Sequence, residues 1–324
     1  MSNRIRNILR ISKDVWITLN KTTSQNKCSI AKPVYFFGNY KLSSFKLGGQ
    51  YLISALNQFG IKAESGENTG PEKLHDAILV FVKECIPENL EELKTNGNKI
   101  IIDIQDNFIH RKGALYPDFI GRDIADYLIF PNQALLDRFL AIKDTISNCI
   151  VLYGFADPAI TSYFIRTGKQ TLDTLRCCYF GFDYNLDIES FKNTGQLLKI
   201  ERIPLTEFNF TEHVKKLRNF NMHIDIRQNK RDEAYKPLTK VFIAAQCSSN
   251  IIIRRSPRVL EVLPDDYPFL VDDKNDPQSI MERAYALYNK NQWNDSLAFM
   301  DEVNNRFSFQ NHIIKFIEIL QKLS

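Results

Sequence analysis

Residues Tyr235–Arg254 read YKPLTKVFIAAQCSSNIIIR, and their pattern sets the fold class. Pro237 suits the first position of a helix, where its missing N–H removes no hydrogen bond. Val241 to Ala245 carry that helix apolar to Gln246. Asn250–Arg254 then resumes as an unbroken Ile run, the pattern of a strand buried on both faces. A helix followed at once by a buried strand is part of a parallel βαβ unit.

The same alternation extends in both directions. Upstream, Arg176–Phe182, Gln196–Ile203 and Met222–Ile226 read as strands, with helices expected over Ile188–Thr194 and Phe210–Phe220. Downstream, Tyr267–Val271 reads as a strand, followed by helices over Asp276–Lys290, Trp293–Asn305 and Gln310–Leu323. An earlier series has strands at Lys32–Gly38, Ala77–Val82, Lys99–Ile104, Tyr127–Pro131 and Cys149–Tyr153. Helices are expected between them at Leu47–Phe59, Pro87–Asn96 and Asn132–Ala141. Two successive series of buried strands and helices predict an α/β protein of two Rossmann-like domains. Residues 1–160 form the first, with a basic arm over 1–30. Residues 161–305 form the second, and 306–324 a helix returning to the first.

Composition agrees. The 324 residues suffice for about two domains. With 44% hydrophobic and 25% charged residues, a wholly disordered chain is excluded. Forty-two basic against 38 acidic residues leave a formal charge of +4, too small and mixed to point to nucleic acid. No apolar run approaches the ~18 residues that span a bilayer. Cys28, Cys85, Cys149, Cys177, Cys178 and Cys247 show no C-x-x-C or metal-ligand spacing. They read as reduced, mostly buried thiols of a cytoplasmic protein.

Neither G-x-G-x-x-G nor G-x-x-x-x-G-K-[ST] occurs, which weighs against an ordinary dinucleotide dehydrogenase and a P-loop NTPase. The chemistry concentrates instead before the Pro237 helix. Lys236 and Lys240 flank its positive end, a placement that costs ~0.3–1 kcal/mol unless an anion binds there. Free N–H groups and Thr239 complete a phosphate site, with Arg227, Lys230 and Arg231 in the preceding loop. The competing reading is a solvated basic loop.

This stretch resembles the donor-site helix and strand of GT-B glycosyltransferases. Three further segments agree in order: Ala125-Asp-Tyr-Leu-Ile-Phe-Pro131, Ile150-Val-Leu-Tyr-Gly-Phe-Ala-Asp-Pro158, and Trp293–Leu320 around Phe307-Ser-Phe309. The resemblance spans most of residues 32–322. It implies a nucleotide-sugar donor in the C-terminal domain, an acceptor on the N-terminal domain, and neither cofactor nor metal. By position it assigns Gly181, Lys236, Thr239 and Lys240 to the donor, with Arg227 adding charge; Glu261, opening Glu-Val-Leu-Pro, is a separate ribose candidate. The paired glutamates of many retaining members are replaced by Tyr235 and Ile243. Donor identity and stereochemistry therefore stay open.

On the acceptor side, Gly38, Ser43, Ser44 and Gly49 follow the first strand and are expected to line a cleft; the bland reading is an ordinary loop with Ser caps. Asp106 and His110 are the candidate bases for an acceptor hydroxyl, with a surface loop as the alternative for His110. Gln105 stands where similar enzymes often carry a His. Asp103 reads as a residue that satisfies backbone groups, and Asp265-Asp266 and Asp272-Asp273 as turn residues. The basic N-terminal arm, with Ile5, Ile8, Leu9 and Trp16 near one face, suits either packing on the protein or an anionic membrane.

The expectation is thus a metal-independent hexosyl- or related transferase of polysaccharide biosynthesis. It would move a sugar from a nucleotide diphosphate sugar to a glycan, lipid-linked or other hydroxyl, in the cytoplasm or peripherally at the inner membrane face. An epimerase or hydrolase of the same fold, or a non-catalytic sugar- or partner-binding protein, are the alternatives.

Overall fold

The computed structural model describes residues 30–40, 43–83, 86–105, 124–141, 148–167, 172–181, 183–191, 200–203, 215–228 and 235–324. They form two compact units, each with its own parallel sheet. The first unit comprises described residues of 30–153, 235–237 and 310–324, and the second those of 154–234 and 238–309.

In the first unit, β1 (Val34–Phe37), β2 (Ala63–Ser65), β3 (Ile78–Val82), β4 (Lys99–Asp103), β5 (Tyr127–Phe130) and β6 (Cys149–Val151) lie in the order β2-β1-β3-β4-β5-β6. All pairings are parallel. Every residue of β3, Ile-Leu-Val-Phe-Val, is buried, as a central strand covered on both faces must be. After β1 come a helical turn at Ser43–Phe45, a π-helical segment at Lys46–Tyr51, and α1 (Leu52–Gln58). The connections also carry α2 (Leu90–Thr95) and α3 (Gln133–Leu140). β2 is not among the expected strands, because Ala63-Glu64-Ser65 has neither length nor β-branched residues to mark it.

The second unit contains β7 (Cys177–Phe180), β8 (Ile200–Ile203), β9 (Met222–Asp225), β10 (Asn250–Arg254) and β11 (Leu270–Val271) in the order β11-β10-β9-β7-β8, again all parallel. Its helices are α4 (Pro158–Thr167), α5 (Thr239–Gln246), α6 (Pro257–Leu260), α7 (Pro277–Leu287) and α8 (Asn291–Arg306). α4 is not among the expected helices, although Asp157-Pro158 marks its start: the Asp157 carboxylate accepts from Ala159 N–H at 2.8 Å. The expected strand at Tyr267–Val271 contracts to two residues. Tyr267 instead turns its buried hydroxyl to the Ile251 N–H at 3.0 Å and Asn250 Oδ1 at 3.1 Å. The expected helix from Ile188 is a 3-10 turn over Ile188–Phe191.

The first unit ends at Tyr153, short of the expected 160. Beyond it, the Ala156 N–H donates to the Phe307 carbonyl at 3.3 Å and the Phe155 ring sits 4.8 Å from that of Phe309, both within the second unit. α9 (Phe309–Gln321) belongs to the first unit from Gln310 onward. It buries Ile313, Phe316, Ile317, Ile319 and Leu320, with Phe316 against Phe36 of β1 at 5.9 Å. Burial of each such side chain contributes roughly 1.5–3 kcal/mol.

Among the described residues no helix is long and apolar enough to cross a membrane. Cys149, Cys177, Cys178 and Cys247 are free thiols. Cys28, Cys85 and residues 1–29 of the basic arm lie outside the described residues.

Candidate functional site

In the second sheet the chain leaves β7 for β8 on one side and returns to β9 on the other. The order therefore reverses between β7 and β9. Ligands of open α/β sheets bind outside the carboxyl ends of the strands at such a reversal. Gly181 follows β7 directly. Its φ of +153° suits a residue without Cβ, and a Cβ there would lie 3.1 Å from the Tyr179 hydroxyl.

β9 ends on Asp225, a carboxylate only 1% exposed. Three cations converge on it. Lys240 Nζ of α5 and Arg227 Nε each donate to Asp225 Oδ1 at 3.0 Å. Arg258 Nη2 of α6, itself fully buried, lies 4.0 Å from Oδ2. Burial alone would raise the Asp225 carboxyl, but the charges of Lys240, Arg227 and Arg258 and the Lys240 hydrogen bond overcome it. They hold the group well below the usual carboxylate range. Three cations thus share one buried carboxylate. Lys240 also stacks over the Tyr179 ring, 3.8 Å from its centroid. Deeper on the same strand, burial and then Lys240 lower the pKa of His223 to about 3, so it is neutral.

The loop after β7 is laced to the segment after β9. Leu186 pairs with Arg227 in an antiparallel bridge, Gln228 N–H donates to the Asn185 carbonyl at 3.2 Å, and Asp187 N–H to the Ile226 carbonyl at 3.0 Å. Asp187 in turn holds Arg254, at the end of β10, at 3.0 Å.

The structure thus gathers Arg227 and Lys240 of the expected donor residues and places Gly181 on the neighbouring strand end. It corrects the helix start. α5 begins at Thr239 with Leu238 as its cap, so Pro237 precedes the helix instead of opening it. Val241 and Phe242 N–H groups donate to the Leu238 carbonyl, and no side chain caps the end. Lys236 belongs to the first unit, where its carbonyl and that of Tyr235 face Asn132 Nδ2 at 3.5 and 3.2 Å. Glu261 is the half-buried residue that closes α6, its N–H donating to the Pro257 carbonyl at 3.2 Å. Lys230 and Arg231 lie outside the described residues.

The first sheet reverses between β1 and β3. Here the expected cleft glycines have another occupant. A Cβ on Gly38 would lie 2.2 Å from Phe45 Cδ2 and one on Gly49 2.7 Å from Phe45 Cε2, so their bareness admits the buried Phe45 ring. Ser43 and Ser44 form the helical turn with it. The group that does face this strand end is Asp103, closing β4. Gln105 Nε2 donates to its Oδ2 at 2.6 Å, and a Cβ on Gly48 would lie 3.0 Å from that oxygen. Burial pushes the Asp103 carboxyl up to about 7 against that hydrogen bond. Asp106 and His110 lie outside the described residues.

Asp225, Arg258 and Asp103 escaped sequence reasoning as site residues. A signal for the first existed: MHIDI alternates His223 and Asp225 into a strand otherwise apolar. Among the described residues no group of three or more His, Cys, Asp or Glu side chains is placed to hold a metal.

No protein-family profile matches the chain, and no curated protein is similar to it in sequence. Solved structures are similar in fold. A glycosyltransferase from Rickettsia africae superposes with a TM-score of 0.61 at 8% identity, over 90% of this chain and 98% of that one. Alr3699/HepE of Anabaena, solved with UDP-glucose, gives 0.61 at 10% identity, over 90% and 99%. The trehalose-6-phosphate synthase OtsA gives 0.59 at 10% identity, over 77% and 73%. At these identities the likeness establishes the architecture: the chain has the GT-B fold of two Rossmann-like units.

Proposed function

We propose that the chain is a glycosyltransferase whose donor is a nucleoside diphosphate sugar, bound through its diphosphate at the Asp225 cluster. The observation that carries the reading is the convergence of Lys240, Arg227 and Arg258 on one buried carboxylate at the end of β9. Three cations gathered at a strand end beside a sheet reversal suit a dianionic group. The same charge stabilises the nucleoside diphosphate as it departs, which is where transition-state charge develops. Asp225 holds the cations in place before the ligand arrives, so little reorganisation accompanies the reaction. The leaving-group charge is met by side chains, and the proposal calls for no metal or cofactor. The fold's likeness to structures solved with UDP and UDP-glucose supports the donor class.

The acceptor is proposed to be a hydroxyl of a glycan or lipid-linked molecule. A role in polysaccharide biosynthesis, at the cytoplasmic side and with membrane contact through the basic arm, belongs to the same proposal.

Calorimetric titration of the full chain with UDP and with the other common nucleoside diphosphates tests the donor site. At least one is expected to bind. Lys240→Ala is expected to weaken that binding by about tenfold or more, as loss of a charge-assisted contact would. Binding unchanged in Lys240→Ala sinks the site assignment. Release of nucleoside diphosphate from a bound sugar donor only when acceptor is added distinguishes transfer from hydrolysis.

A further inference from the structure

We propose that Tyr179 is a positioning residue of the diphosphate site: the face of its ring holds the Lys240 ammonium where it meets an anion. The proposal rests on the nucleoside diphosphate reading above and adds to it the aromatic group on which that site depends.

β7 and β9 pair in register over Cys177–Met222 and Cys178–His223. Each strand then runs two residues further, to Phe180 and to Asp225. The Lys240 ammonium reaches both strand ends from the first turn of α5. Its Nζ donates to Asp225 Oδ1 at 3.0 Å and lies 3.8 Å from the centroid of the Tyr179 ring. Tyr179 and Asp225 are each 1% exposed and the Lys240 side chain 12%, so little water competes for the ammonium.

The tip of the same ring packs against Gly181. A Cβ on that glycine would lie 3.1 Å from the Tyr179 hydroxyl and 3.3 Å from Cε1 and Cζ. One buried side chain of β7 thus supports the turn after its own strand and a lysine of α5.

The two partners of Lys240 act differently. A carboxylate holds an ammonium by offsetting its charge, whereas an aromatic face holds it through a quadrupole that carries no net charge. Asp225 is already shared with Arg227 and Arg258. The ring therefore restrains Lys240 without adding an anion that would repel a diphosphate. Lysine needs such restraint, because its ammonium ends a flexible stem and ordering that stem on binding costs affinity. Cation–π attraction is strongest where water is excluded, as it is here. A tyrosine that only filled the core would be replaced adequately by an aliphatic side chain. The positioning role depends on the face of the ring, and neither on its bulk nor on its hydroxyl.

Calorimetric titration of the full chain with UDP and the other common nucleoside diphosphates tests the role. Tyr179→Leu is expected to weaken binding about tenfold. Tyr179→Phe, which keeps the face and drops the hydroxyl, is expected to restore affinity to within about twofold of the wild type. In a Lys240→Ala background Tyr179→Leu is expected to change affinity by less than about twofold, because the ring acts through Lys240. Wild-type affinity in Tyr179→Leu, or an undiminished further loss in the Lys240→Ala background, overturns the proposal. If Tyr179→Leu does not fold, trifluorophenylalanine in its place keeps the shape and drains the face: a loss of about tenfold relative to Tyr179→Phe supports the role, and equal affinity overturns it. Absence of binding by every nucleoside diphosphate overturns the diphosphate reading instead. The hold on Lys240 is then decided by NMR of lysine-labelled protein. Lys240 ε-methylene signals, assigned by their loss in Lys240→Arg, support it if the ring shifts them upfield and overturn it if they sit at the ordinary lysine position.

Discussion

Asp225 and Asp103 are both carboxylates at strand ends, and their surroundings drive them in opposite directions. Asp225 is ionised because three cations outweigh its burial. Removing its charge takes from Lys240, Arg227 and Arg258 the buried carboxylate they share. Asp225→Asn is therefore expected to lower stability by about 3–5 kcal/mol in urea unfolding near pH 7, the usual cost of breaking a buried ion cluster. Because the folded pKa is depressed, the Asp225 contribution is present above the ordinary carboxylate range and lost as pH falls through its folded value. Millimolar pyrophosphate is expected to restore part of the loss, since it replaces the missing charge. Failure to destabilise would show that the cations do not depend on Asp225. Asp103 behaves inversely. Its pKa is raised to about 7 by burial against the Gln105 hydrogen bond. Its favourable contribution is thus complete below about pH 4 and lost as pH rises through 7. Asp103→Asn is expected to gain stability relative to the wild type between pH 4 and pH 8. The gain should be on the order of 1–2 kcal/mol, the full linkage value being discounted because the residue is half-buried. Parallel unfolding curves at the two pH values measure it, and a pH-independent difference would refute the shifted carboxyl.

At the scale of elements, periodicity located what is long and apolar and missed what is short or held by one polar contact. β3, β4, β9 and β10 were readable because four or five consecutive residues are buried or nearly so. β2 was not, and β11 was read three residues too long, since strands of three and two residues borrow their stability from the neighbours they pair with. The start of α5 shows the same limit. Pro237 is a good opening residue by local preference, but Asn132 takes part in fixing the backbone just before it. That side chain caps α3 by accepting from the Leu135 N–H at 2.8 Å, and donates to the Tyr235 carbonyl at 3.2 Å. The Tyr235 ring meanwhile receives the Arg138 guanidinium, 4.4 Å from its centroid. Residues 235–237 are thereby built into the first unit, and the helix starts where the second begins. No local signal reports a contact across more than a hundred positions.

Over the whole molecule, the two-sheet architecture followed from the alternation alone, while the site was legible only in part. Arg227 and Lys240 were identified from charge beside a helix start, yet Asp225, the group that joins them, looked like one polar residue in a buried strand. Arg258 was hidden in a four-residue helix that no periodicity marks. Gly38 and Gly49 suggested a ligand, whereas their space belongs to Phe45. A bare glycine shows that something comes close, without saying whether it is ligand or ring. The division of labour between the sheets makes a final prediction. Arg227, Lys240 and Arg258 of the proposed diphosphate site all lie in the second unit. Ligand binding stabilises what it contacts by RT ln(1 + [L]/Kd), about 2.7 kcal/mol at a hundredfold excess over Kd. Hydrogen exchange of the full chain with saturating UDP is therefore expected to slow most in β9, α5 and α6. Slowing in β3, β4 and α9 should be smaller, because amides of a separate core open without releasing a ligand held elsewhere. Equal protection of both sheets would contradict a donor site confined to the second unit, and protection concentrated in the first would reverse the assignment of the two halves.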